Sequence, residues 1–397
     1  MSFFTGQQKI NLARSLFLKS SPSYVQFYIT ARCNLTCEQC NIIYADSSGM
    51  EMTIEQIRLM AKNFKKIGVS IVLLIGGEPF MRKDLPEIIK VFNENGIHTR
   101  MQTNGMASEQ ALKDCVDAGG HDISISLDSL NFKKQETING GYSRSWERAI
   151  RAASLINNLF PENGTGFFGT VLMPRNFLEI RDVVEFATKI GWGVSLVPGH
   201  VTTPDKPLGF RTFDDTNVCK FDRKQYPILK EVISDLKKAK KEGMNLYDSD
   251  EYLDDIYRFI VGEPLKWRKR NYGVCDSPSL YFAVEPNGNL KPCCDFKMKK
   301  NFPVYHDDFP EWYFNKMVHK EVEKYTLNCD GCMYGSYPEI SITARYFKPF
   351  WERFFFFNKK AKSLLKPLSV GQMVNIATEI YEKNNEERIK KYGNDFR

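Results

Sequence analysis

The sequence predicts an α/β fold in which parallel strands alternate with helices over residues 23–200, a curved sheet or partial (β/α)6 barrel. Three observations predict it. Short β-rich apolar runs recur between stretches of helical periodicity at the spacing of repeated βα units. Thr53 and Ser108 stand where helix N-caps belong, and glycines at 68, 96, 119 and 191 stand where helices should stop. The chain has 397 residues, 42% hydrophobic and 26% charged, which suffices for two or three buried cores and excludes disordered, collagen-like and small disulfide-stapled classes.

Strands are expected at 24–30, 70–75, 98–102, 122–127, 166–173 and 193–197. Helices are expected at 53–66, 84–95, 108–118, 145–159 and 176–190. In such a fold the chemistry sits at the C-terminal ends of the strands. A basic segment, 1–22, precedes this core. Residues 201–270 read as a linker region with Pro204 and Pro207, a basic helix over 227–243 and another helix over 251–261. Residues 271–335 form a second small unit, where two apolar runs (280–284 and 290–294) flank Asn287-Gly288, a strong hairpin signal. Residues 336–397 begin aromatic and basic and end in a charged helix over 371–391.

No run approaches the roughly 18 apolar residues of a spanning helix, and no cleavage pattern follows the basic N-terminal segment. The expected compartment is the reducing cytoplasm. Ten cysteines there point to metal chemistry, and they cluster, three within 33–40 and five within 275–332. The net charge of +7 belongs to the ends: residues 1–24 hold three basic groups and no acid, and 336–397 hold twelve basic and seven acidic groups.

Cys33-x3-Cys37-x2-Cys40 follows the first strand directly. Three thiolates at this spacing suit three corners of a [4Fe–4S] cluster and leave one iron open; a zinc site lacking a local fourth ligand is the structural alternative. Gly76-Gly77-Glu78-Pro79 follows the second strand. There two glycines let the backbone approach a ligand and offer free amides, and Glu78 offers an acceptor for an ammonium group.

These motifs, with Thr103-Asn104-Gly105 after strand three and Ser126-Leu127-Asp128 ending strand four, make residues 23–200 resemble the radical S-adenosylmethionine (radical SAM) family. The resemblance implies a partial TIM-like barrel, and a [4Fe–4S] cluster on Cys33, Cys37 and Cys40 whose free iron is chelated by the amino and carboxylate groups of SAM. It further implies that Glu78 with Gly76 and Gly77 holds the methionine ammonium. Asn104, Ser126 and Asp128 would contact the ribose or carboxylate, and 173–176 would lie near the adenine. Reductive cleavage of SAM then yields a 5′-deoxyadenosyl radical for hydrogen abstraction or addition, fed by an external donor such as flavodoxin or ferredoxin. One position departs from the family, since Gln39 stands where an aromatic residue usually precedes the third cysteine.

Cys275, Cys293, Cys329 and Cys332 resemble the ligands of a twitch domain, the shortened relative of the SPASM domain, with Cys294 as the alternative to Cys293. This implies a small β-hairpin-containing iron–sulfur domain with one auxiliary cluster, followed by a helical C-terminal tail. A zinc ribbon is the structural alternative, and Pro338 stands where a full SPASM domain would place a further cysteine. Cys115 reads as a core residue, Cys219 has no partner by spacing, and His121 and His200 read as satisfied polar residues. The pairs Asp214/Asp215 and Asp254/Asp255 read as solvated faces.

Nine aromatics between Tyr337 and Phe357, with seven basic residues and one acid over 345–366, suit a membrane interface. The N-terminal segment 3–18 suits a second such element. The competing reading packs the tail's apolar side on the barrel. The expected substrate is a small molecule or lipid. Peptide maturation is the rival, weakened by the mere 22 or so residues before the first strand, too few for a separate peptide-recognition domain. An iron–sulfur electron carrier or zinc-bound interaction protein is the non-enzyme alternative. No nucleic-acid partner is expected, because the basic residues fall in no recognised module.

Overall fold

The structure is a computed structural model that describes residues 4–19, 21–40, 49–200, 218–267, 275–294, 296, 298–327, 329, 331–356 and 367–393. Residues 201–217 of the linker, with Pro204, Pro207 and Asp214/Asp215, and residues 357–366 of the basic tail lie outside them.

The strands are β1 (Tyr24–Thr30), β2 (Ile71–Gly76), β3 (His98–Thr103), β4 (Asp122–Ser126), β5 (Thr165–Leu172), β6 (Gly193–Pro198), β7 (Tyr281–Val284) and β8 (Leu290–Lys291). They form one sheet in the order β6-β5-β4-β3-β2-β1-β7-β8, parallel throughout except for the β7/β8 hairpin. The mixed α/β class and the partial, unclosed barrel of the first six strands agree with the sequence reading. The hairpin, read as part of a separate unit, pairs β7 in parallel with β1 and so extends the same sheet.

Helix α1 (Gly6–Leu18) precedes β1; α2 (Ile54–Ile67), α3 (Leu85–Glu94), α4 (Glu109–Asp117), α5 (Phe132–Ile138), α6 (Ser145–Leu159) and α7 (Ile180–Ile190) connect the strands in turn. Thr53 and Ser108 cap α2 and α4 as expected, each accepting a backbone N–H three residues on. Helix α5 is not among the expected helices. Its signals are an Asn131 cap and a stop at Gly140-Gly141, two glycines at positive φ. The helix expected from residue 176 begins with a 3₁₀ turn at Phe177–Glu179, because the Asn176 side chain is bound to Met173 N–H and Val171 O.

Strand periodicity divides two cores. Val25, Phe27 and Ile29 of β1 face the connecting helices with Val72, Leu74, Ile123 and Ile125. Tyr24, Tyr28 and Leu73 face the concave side, where Tyr337 and Ile340 of α12 (Ser336–Arg345) pack on them. Helices α8 (Tyr226–Lys241), α9 (Asp250–Val261), α10 (Phe309–Phe314) and α11 (Met317–Thr326) come before α12. Asp255 on α9 corrects the reading of a solvated face. Its carboxylate is fully buried and accepts the Lys266 and Trp267 amides at 2.9 Å and Arg258 at 2.7 Å. Helix α13 (Phe347–Phe355) reaches the N-terminal ends of the strands, where Phe356 packs 6.0 Å from Phe167 and Arg353 lies 4.5 Å over Tyr247. The inner side of the aromatic tail therefore packs on the barrel. Helix α14 (Val370–Tyr392) lies outside against α6 and α7, fastened by Arg388 to Asp182 at 2.6 Å.

Close packing at Gly166 yields a first test. A Cβ there would fall inside contact distance of the Trp192 ring, which is stacked on Phe168 at 4.8 Å and held by Asn157 at 2.7 Å. Gly166→Ala should cost about 1–3 kcal/mol, read as a lower urea midpoint at unchanged slope.

Candidate active site

The loop carrying Cys33, Cys37 and Cys40 leaves the C-terminal end of β1 and is held from three directions. Gly77 N–H donates to Thr30 O and Glu78 N–H to Arg32 O, both at 2.8 Å. Glu38 N–H donates to Ile138 O at the end of α5 at 2.9 Å. Asn104 Nδ2 donates to Asn34 Oδ1 at 2.7 Å and stands 4.0 Å from Cys33 Sγ. An added Cβ at Gly76 or Gly77 would strike the Thr30 or Arg32 carbonyl, and Gly76 has φ of +145°. Of the two glycine amides read from sequence as free for a ligand, that of Gly77 is therefore used, together with the Glu78 amide, to seat the cysteine loop.

The three thiols lie within electrostatic reach of one another. Burial raises the Cys37 thiol far above its usual range, and Cys40, Asp128 and Cys33 raise it further. Cys33 is raised by burial with a contribution from Glu78. Asn139 Oδ1 lies 3.6 Å from Cys37 Sγ, a partner the sequence reading missed along with α5.

Glu78 is 2% exposed and accepts from Asn104 N–H at 2.7 Å, Thr103 Oγ1 at 2.9 Å and Phe80 N–H at 3.1 Å. Burial nevertheless pushes its carboxyl up to about 7. A carboxylate has about four acceptor sites, so one is left for a further donor. Asp128 is buried at the end of β4 and takes Val171 N–H at 2.7 Å and Gln39 Nε2 at 3.2 Å, and burial pushes it up to about 7 as well. Gln39, the departure from the family pattern, thus binds Asp128, and its Oε1 is buried without a hydrogen-bond partner among the described residues. Ser126 accepts Gln102 Nε2 at 3.2 Å on the concave face. Arg175, past the end of β5, pairs with Glu38 at 2.9 Å.

The second set is gathered around the hairpin. Cys275 and Cys293 pack with Cys294 in the concave core. Burial pushes Cys275 up to about 12, and Cys329 is close enough to add to the effect. Cys332 is buried, and its carbonyl accepts Trp267 Nε1 at 3.1 Å. Cys294 Sγ sits 2.9 Å from the Tyr28 hydroxyl and 3.6 Å from Gln26 Oε1, so its thiol is engaged inside the barrel. Among the described residues no group of three or more His, Cys, Asp or Glu side chains closes on one metal-ion position. Cys115 and Cys219 are core residues, and His200 accepts Met333 N–H at 3.2 Å while stacked on Tyr334.

The first set fits a cluster with an open coordination position and a polar cationic ligand. It offers three thiols without a fourth, a buried carboxyl with a spare acceptor site and the unpartnered Gln39 carbonyl.

Comparison with known proteins bears on the same residues. The family model for the Radical SAM superfamily matches residues 27–187. A probable GTP 3′,8-cyclase from Methanococcus vannielii is 30% identical over 172 residues, 41% of this chain and 54% of that protein. The AdoMet-dependent heme synthase of Methanosarcina barkeri is 26% identical over 177 residues, 44% of this chain and 49% of that protein. The chain spans about half the length of these curated relatives. Among solved structures, Streptococcus suis SuiB bound to S-adenosylmethionine shares the fold at a TM-score of 0.59 and 18% identity, over 77% of this chain and 68% of that one. Histidine-tagged anSMEcpe with bound AdoMet does so at 0.54 and 13%, over 94% and 99%. The matched residues 27–187 contain the cysteine loop, the Gly76–Pro79 turn and the ends of β3 and β4, so the likeness to the Radical SAM superfamily rests on these residues.

Proposed function

We propose that this protein is a radical SAM enzyme that acts on a compact substrate and carries one auxiliary iron–sulfur cluster. The observation that carries the reading is the convergence of Cys33, Cys37 and Cys40 with buried Glu78 and Asp128 at the C-terminal end of the parallel strands. The bound cluster and SAM together supply one-electron cleavage of the S–C5′ bond, giving a 5′-deoxyadenosyl radical for hydrogen abstraction or addition. In this reading the three thiols hold the cluster. Glu78 directs its spare acceptor site at the methionine ammonium, and its three protein donors keep the carboxyl oriented. Gln39 Oε1 takes a donor group of the ligand, and Asn104 and Asp128 hold the loop that presents these groups. Ser126 and Gln102, on the concave face away from α12, meet the substrate.

A small polar substrate is favoured by that concave face. Helix α12 covers Tyr24, Tyr28 and Leu73, while Gln102, Ser124 and Ser126 line the part it leaves. A peptide substrate is the second reading. It has the support of the likeness in fold to SuiB bound to its precursor peptide SuiA, at a TM-score of 0.56. The curated relatives named GTP 3′,8-cyclase support the small-molecule reading.

Anaerobically reconstituted protein with dithionite and SAM should form 5′-deoxyadenosine, and Cys37→Ala should abolish it. No product from the wild type would leave an electron carrier or zinc protein as the better description. Polar metabolites, rather than a peptide pool or membrane lipids, should stimulate the reaction.

Loaded protein should hold about eight iron atoms per chain, and a value near four would remove the auxiliary cubane. Because the Cys294 thiol is engaged by Tyr28, Cys293→Ala should lose about four irons and Cys294→Ala should keep them.

Gly77→Ala should unseat the cysteine loop. Iron loading should fall by about four per chain while the circular dichroism spectrum stays unchanged. Normal loading would show that the Gly77–Arg32 approach is dispensable.

A further inference from the structure

The N-terminal pole of the barrel lies a strand length, about 20 Å, from the cysteine loop. Helix α1 reaches that pole through Gln8 Nε2, bonded to Gly96 O at 3.2 Å, and through Phe4, whose ring is 5.2 Å from His98. Helix α13 reaches it through Phe356. The outward sides of the two helices meet where the Phe17 and Phe350 rings lie 5.6 Å apart.

Among the described residues this joined face is apolar and exposed. Ile10, Phe17 and Leu18 of α1 and Phe347, Trp351, Phe354 and Phe355 of α13 are seven of the fifteen large hydrophobic side chains exposed among the described residues. Phe347 is 76% exposed and Phe17 69%. The charge on the face has one sign where it is unbalanced. Lys9 and Arg14 are exposed on α1, which contains no acid, and Arg14 lies on the same helical side as Ile10, Phe17 and Leu18. In sequence, the chain beyond α13 continues with four lysines and no acid before Pro367.

We propose that this face docks the protein peripherally on an anionic lipid bilayer. Phenylalanine and tryptophan side chains partition into the boundary between headgroups and acyl chains, and cations beside them pair with lipid phosphates. A second copy fits less well, because the two faces would bring cation against cation. Docking by this pole leaves the C-terminal strand ends, with the cysteine loop, turned away from the bilayer. Attachment and chemistry are thus separable, and the inference does not depend on the reaction proposed above.

The test is flotation of the reconstituted full chain with phosphatidylcholine vesicles, with and without phosphatidylglycerol. Wild type should float with the phosphatidylglycerol vesicles. Phe17→Ser, and separately the double variant Trp351→Ser/Phe354→Ser, should each lower the bound fraction about tenfold. Both should retain the wild-type circular dichroism spectrum and basal SAM cleavage. Trp351 emission should shift to the blue and be quenched by brominated lipid, since Trp146, Trp192 and Trp267 are buried and Trp312 packs against Phe302 and His306. Wild type that stays down with both vesicle types overturns the proposal, as does flotation that survives both variants. So does a vesicle-free dimer that Phe17→Ser converts to monomer, which would make the face a self-interface.

Discussion

The arrangement at the strand ends depends on one steric condition, the approach of the turn after β2 to the chain leaving β1. Thr30 and Arg32 present carbonyls that the amides of Gly77 and Glu78 reach at 2.8 Å, and no side chain fits at Gly76 or Gly77 in that contact. The parallel pairing of β1 with β2 brings the two chain segments side by side, and the pair of glycines lets them join beyond the sheet. The cysteine loop then starts at a defined height, and Glu78 is turned inward toward Thr103 and Asn104. One backbone contact thereby sets the position of both the thiols and the carboxyl.

The electrostatics of the site follow from the burial that this contact imposes. Glu78 and Asp128 are both pushed up to about 7 in spite of several hydrogen-bond donors, and the Cys37 thiol is raised by burial and by its acidic neighbours. Desolvation here exceeds what neutral N–H groups return. A cationic or metal-bearing occupant would supply the missing positive charge and draw these groups into their ionised forms. Burial that costs stability in the protein alone is thus offset when the site is filled.

β1 also links the two cysteine sets. It pairs with β2 on one side and with β7 on the other, so the hairpin and its neighbouring cysteines hang from the strand that carries the first loop. Tyr28 and Gln26 point from β1 toward Cys294, and Tyr281 of β7 stacks on Tyr337 of α12 at 4.6 Å. A shift of β1 would be felt at both ends of this layer, which is packed too closely to absorb it locally.

By itself the sequence determined what is local in origin. The βα alternation, the caps at Thr53 and Ser108, the Asn287-Gly288 hairpin and the spacing of Cys33, Cys37 and Cys40 all rest on periodicity, backbone freedom and short-range spacing. Tertiary structure alone decided what depends on residues far apart in the chain. The Gly77 amide, read as a ligand donor, is bonded to Thr30, and Gln39 finds Asp128 some ninety residues away. Asp255 is buried under amides of the chain that follows α9. Cys294, the alternative to Cys293 in the sequence reading, has its thiol beside the hydroxyl of Tyr28 on a distant strand. The aromatic tail divides between two environments: Phe356 is buried against Phe167 and Phe347 is open to solvent. A helix has two sides, and only its docked position decides which of its aromatics the core takes.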